Sequence, residues 1–197
     1  MAARGDCSER RTLWIVLVLN AGLVIAFFVT GAIGDSSALI ANGLDNLSDS
    51  LVYAISLFAL SRSDKWKRGA ARVSGGLLIL FALGILYDAW HRFTGGSEPL
   101  GSVMIAMALI AAPINAVCVW LLAQLREPDV NIRAANTFSW NDFAANLGII
   151  VAGGLVAWLG TNWPDLVVGV IVAGIAFWGG VEILRDAHQE RQKDGHG

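Results

Sequence analysis

A chain of 197 residues with 55% hydrophobic residues and a mean hydropathy of +0.58 is too apolar for an ordinary soluble domain. Its net charge of −2, from 14 Lys and Arg against 16 Asp and Glu, offers no basic excess for a nucleic-acid partner. The cysteines, Cys7 and Cys118, show neither a disulfide framework nor a metal-type spacing and read as ordinary thiols.

In chain order, a short polar arm (1–11) precedes the first uncharged run, Thr12–Gly34. That run is too long for a secretory h-region, and no small-residue cleavage site follows it. Together with Pro99–Leu125 and Phe143–Pro164 it exceeds the roughly 20 residues that cross a bilayer. Ser36–Ser61, Ala70–Arg92 and Leu166–Glu182 are almost as clean. The chain therefore predicts an all-α, polytopic membrane protein with six transmembrane helices over 12–33, 36–61, 70–92, 100–125, 133–160 and 164–186. The transmembrane domain spans 12–186, and 187–197 is a short polar tail whose His188 and His196 read as solvated. Of seven tryptophans most, among them Trp14, Trp90, Trp158 and Trp163, fall near helix ends, as interfacial anchors do.

Basic residues collect on one side. Arg4, Arg10 and Arg11 precede the first helix, Arg62, Lys65, Lys67, Arg68 and Arg72 flank the second loop, and Arg126 and Arg133 flank the fourth. Arg185, Arg191 and Lys193 lie near the end, and Arg92 alone falls opposite. By the positive-inside rule both termini are expected in the cytoplasm, in a bacterial inner membrane. Dispersed glycines such as Gly75, Gly76, Gly84, Gly153 and Gly154 predict close helix packing.

Once loop and helix-end charges are set aside, Asp45, Asp49 and Asp142 remain at depth. Each costs roughly 2.5–3.5 kcal/mol at a helix centre, and no buried Lys or Arg is there to neutralise them. Asp45 and Asp49 share one face of the second helix, and Asp142 and Asn146 repeat that spacing on the fifth. The helical rise brings both pairs to similar depth. Three carboxylates and an amide make an oxygen-rich cage for a divalent cation, at the depth where carriers hold substrate. Asn20, Asn42, Asn46, Asn115 and Asn141 are expected to hydrogen-bond between helices.

At these residues the chain resembles the cation diffusion facilitator family of metal/proton antiporters. SSALIANGLDNLSDS resembles that family's second-helix motif and NDFAANLGIIVAGGLV its fifth. EPLGSVMIAMALIAAPINA and WPDLVVGVIVAGIAFWGGVEILRDA are similar to the fourth and sixth, so the resemblance runs from Thr12 to Ala187. It implies metal ligands at Asp45, Asp49 and Asp142. The family's fifth-helix histidine falls on Phe138, so a fourth ligand is expected from Asn146, with Asn141, a backbone carbonyl or water as alternatives. The family's cytoplasmic C-terminal domain has no counterpart after Glu182, which points to the branch without it.

The resemblance implies efflux of zinc, with cadmium accepted, in exchange for protons and by a homodimer. No cofactor is expected: the metal is cargo and the proton is the coupling ion. Metal binding needs deprotonated carboxylates, so protons compete for the same oxygens. The alternatives are manganese, iron or cobalt as cargo, or a proton-conducting or structural membrane protein whose aspartates bind no metal.

Overall fold

Long apolar segments in a bilayer must satisfy their backbone polar groups internally, and the helix does so. The computed structural model describes residues 2–59, 64–124 and 130–194. These form α1 (Ala2–Ile33), α2 (Ser37–Ala59), α3 (Asp64–Gly95), α4 (Gly101–Ala123), α5 (Val130–Leu159) and α6 (Trp163–Asp194). Short turns at 34–36, 96–100 and 160–162 join α1 to α2, α3 to α4 and α5 to α6 at one end, called here the hairpin end.

The expected hairpin-end boundaries hold to within three residues. At the opposite end α1, α3 and α6 run well past the apolar runs, to Ala2, Asp64 and Asp194. Polar residues there continue helices already nucleated by the membrane segment, so elongation costs little. The tail from 187 is thus helical to Asp194 rather than a separate frayed segment.

Among the described residues, four helical segments are individually long and apolar enough to cross a membrane: Arg10–Ile33, Gly69–Gly95, Gly101–Ala123 and Trp163–Asp186. Among the described residues α5 adds a shorter apolar stretch, Ala145–Leu159. α2 and α5 carry the buried aspartates.

α2 is the central helix, packed against α1, α3, α5 and α6, while α3 pairs with α6 and α4 with α5. Two backbone-on-backbone crossings set the paired helices. A Cβ placed on Gly75 would stand 2.9 Å from the Gly180 carbonyl oxygen, and the reverse approach is also 2.9 Å. A Cβ on Gly101 would collide with the Gly153 carbonyl oxygen, so α4 and α5 meet where only glycine fits.

The hairpin end is tied by polar groups. Asp35 turns the chain between α1 and α2 with φ 48, a left-handed conformation that Asp tolerates better than most residues. Its carboxylate accepts from Arg92 on one oxygen and from the Glu98 N–H at 2.8 Å on the other. Arg92 also donates to Asp88 at 2.6 Å, and the Ser37 hydroxyl donates to Asp88 at 3.1 Å. Asp165, fully buried in the first turn of α6, accepts from the Ser36 hydroxyl and from the Ser37 and Ala38 N–H groups. Ser36 in turn accepts from the Leu39 N–H at 3.1 Å, completing the N-cap of α2.

Candidate metal site

α2 places Asp45 and Asp49 one turn apart, and α5 places Asp142 and Asn146 likewise. The fold brings the two pairs together. The carboxyls of Asp45 and Asp49 each come within hydrogen-bonding reach of the Asp142 carboxyl. Asp49 and Asp142 are 4% and 5% exposed, so water screens their repulsion poorly. No Lys or Arg stands among the buried residues described. An ionised carboxylate only accepts hydrogen bonds, so carboxyls this close are held together by a proton or by a cation between them.

Asp45 is the more open of the three. It lines a cavity of about 200 Å³ between α5 and α6, with Ala145, Gly148, Val168, Val172 and Ile175. A second apolar crevice shares Gly148 and Val168 and continues to Trp163 and Pro164 at the hairpin end.

Asn146 is buried beside the carboxyls, but its amide is engaged. Its Nδ2 donates to the Asp142 carbonyl at 2.9 Å, and its Oδ1 accepts from Asn42 at 3.3 Å. Asn42 therefore makes the expected interhelical bond. Asn46 instead donates to the Asn42 carbonyl one turn back on its own helix, at 2.9 Å. Asn20 donates both to the Val16 carbonyl and across to Cys118 Sγ. Asn115 departs from expectation: among the described residues neither of its side-chain atoms has a hydrogen-bond partner. The side chains of Phe138, Asn141 and His188, and the whole of His196, lie outside the described residues.

Among the described residues no group of three or more His, Cys, Asp or Glu side chains is placed to hold a metal ion. The three aspartate carboxyls nonetheless lie within reach of one another. Sequence reasoning passed over one feature. Asp165 is set aside there with the helix-end charges, although its place beside Pro164 at a helix start, with two serines opening α2, was the available signal.

The model of the cation efflux transmembrane domain matches residues 13–190. The chain belongs to the cation efflux family. The cadmium, cobalt and zinc/H(+)-K(+) antiporter of Bacillus subtilis (strain 168) is 26% identical over 194 residues, covering 91% of this chain and 62% of the relative. The metal cation efflux system protein CzcD of Cupriavidus metallidurans is 27% identical over 176 residues, 83% of this chain and 56% of that protein. The zinc transporter ZitB of Escherichia coli (strain K12) is 26% identical over 198 residues, 94% and 63% respectively. The chain thus spans about three fifths of the length of these cation efflux proteins. They are transporters rather than enzymes, and the family has no cofactor: the metal is what is carried.

Proposed function

We propose that this cation efflux domain exports a divalent metal, zinc with cadmium accepted, in exchange for protons at a site made by Asp45, Asp49 and Asp142. The observation that carries this reading is the convergence of three carboxyls from α2 and α5 at a buried point with no basic partner among the described residues. Such a cluster is stable with shared protons or with a bound cation, and one excludes the other. Antiport follows from that exclusion. Metal arrives when the cluster has lost its protons and leaves as protons return on the other side. Zinc and cadmium in the printed names of the relatives support the choice of cargo.

Asn146 completes the set. With its Oδ1 turned to Asn42, it serves the ion by rotating that oxygen inward or by orienting Asp142 from its present position. Both termini face the cytoplasm of a bacterial cell, as the basic residues at the end opposite the hairpins support. The carrier works as a homodimer. On α3, Gly76 and Gly84 meet nothing within 4 Å, which leaves room for a second copy.

Zinc flux into proteoliposomes under an imposed proton gradient tests the reading. The full chain moves zinc against its gradient, and Asp49→Asn or Asp142→Asn abolishes that movement. Near-normal flux in either variant, or flux indifferent to the proton gradient, refutes the site or the coupling respectively.

A further inference from the structure

Arg92 lies where the three hairpins meet. Its Nε donates to Asp88 at 2.6 Å, one turn back on α3. Its Nη1 donates into the α1–α2 turn, to the Asp35 carbonyl at 2.9 Å and to the Asp35 carboxylate. Asp88 also accepts from the Ser37 hydroxyl at the start of α2, and the second Asp35 oxygen accepts from the Glu98 N–H between α3 and α4. The α5–α6 turn joins through Asn162, whose Nδ2 donates to the Arg92 carbonyl at 3.4 Å and to the Ser97 hydroxyl at 3.0 Å. Across the hairpin-end segments 34–36, 88–100 and 160–165, Arg92 is the sole Lys or Arg, against Asp35, Asp88, Glu98 and Asp165.

This network stands at the head of a route to the carboxyls. Trp163 and Pro164, next to Asn162, line the apolar crevice between α5 and α6. That crevice shares Gly148 and Val168 with the cavity at Asp45. Apart from Asp45, every side chain lining the two is apolar, and an ion does not cross such a slot without water. Exchange with the hairpin side therefore requires the helices to part. The residues that resist parting are the ones Arg92 gathers. Ion pairs with part-exposed carboxylates are individually weak, as a joint that must release requires, while one guanidinium fork ties several partners at once.

We propose that Arg92 is the pin of a hairpin-side lock: its bonds to Asp35 and Asp88 hold the hairpins together, and their release opens the way from the Asp45 cavity to that side of the membrane. The proposal rests on the aspartates as the place of transport. Arg92 touches no cargo. It is a positioning residue, acting on α2 through Asp88 and Ser37 and on the α1–α2 turn through Asp35.

The test uses the full chain with Cys7→Ser, reconstituted in liposomes, and Gly148→Cys as reporter. A Cβ at Gly148 meets only Val168 Cγ1, at 3.8 Å, so the cysteine fits. A membrane-impermeant thiol reagent is added from the hairpin side, with the same chain retaining Gly148 as background. Labelling should be slow with Arg92 intact and about tenfold faster in Arg92→Gln, with a smaller rise in Asp88→Asn, which loses one of the two ion pairs. Unchanged labelling in Arg92→Gln overturns the lock, as does an equal rise from both faces, which marks general loosening. Should Arg92→Gln fail to fold, unchanged labelling in Asp88→Asn overturns it. Near-normal zinc flux in Asp49→Asn would instead overturn the carboxylate site, a result that the labelling rates do not share.

Discussion

Asp165, on α6, accepts the Ser37 N–H of α2 at 2.8 Å, so one helix caps the amino terminus of another. The same carboxyl also holds the Ser36 hydroxyl and the Ala38 N–H, all in a fully buried position. A carboxylate at a helix N-terminus meets the positive end of the dipole and satisfies N–H groups that otherwise have no acceptor. Asp165→Ala strands two of these donors and should cost about 2 kcal/mol or more. Thermal unfolding of the detergent-solubilised protein measures it. An unchanged midpoint would show that the cap is dispensable.

Neighbouring glycines on α3 should behave oppositely. Gly75→Ala pushes a methyl against the Gly180 backbone, where nothing can yield without parting α3 from α6. A loss of about 1–3 kcal/mol is expected from that overpacking. Gly76→Ala meets open space and should be neutral or slightly stabilising. Equal effects from the two substitutions would contradict the crossing described.

Metal affinity should rise with pH. Protons and a cation compete for the carboxyl oxygens of Asp45, Asp49 and Asp142, so each proton released on binding changes affinity about tenfold per pH unit. The sign is fixed: acid weakens binding and alkali strengthens it until the cluster is fully deprotonated. Zinc titrations of the purified protein at several pH values check this. A flat profile would mean that no proton leaves when metal arrives.

Asn146→Ala should weaken zinc binding by roughly 10–100-fold without abolishing transport, the expected effect of losing a group that orients a ligand. Asn42→Ala should follow it in direction, because the two amides bond each other at 3.3 Å. A double variant no worse than Asn146→Ala alone would place both in one unit. Full additivity would separate them.

The helices and the deep aspartates were legible in the sequence because a bilayer leaves so few ways to arrange a chain. An apolar run must be a helix, and a charge inside it must be explained by something other than solvent. The meeting of Asp142 with Asp45 and Asp49 followed from counting residues along helices of alternating direction. What the sequence hid depends on contacts between distant segments. Asp165 reads as a harmless charge at a helix start until α2 is seen to begin against it. Asn115 reads as one more interhelical bond, yet its amide finds no partner among the described residues. The extra turns of α3 and α6 carry no apolar pattern to announce them.

The cap at Ser37 gives α2 mechanical leverage. Twelve residues of helix separate Ser37 from Asp49, about 18 Å at 1.5 Å per residue. With Asp165 as fulcrum, a tilt of about 5° swings Asp49 by roughly 1.6 Å, enough to make or break a hydrogen bond with Asp142. A small rocking of α2 about that cap therefore suffices to change the distance between the carboxyls of Asp49 and Asp142.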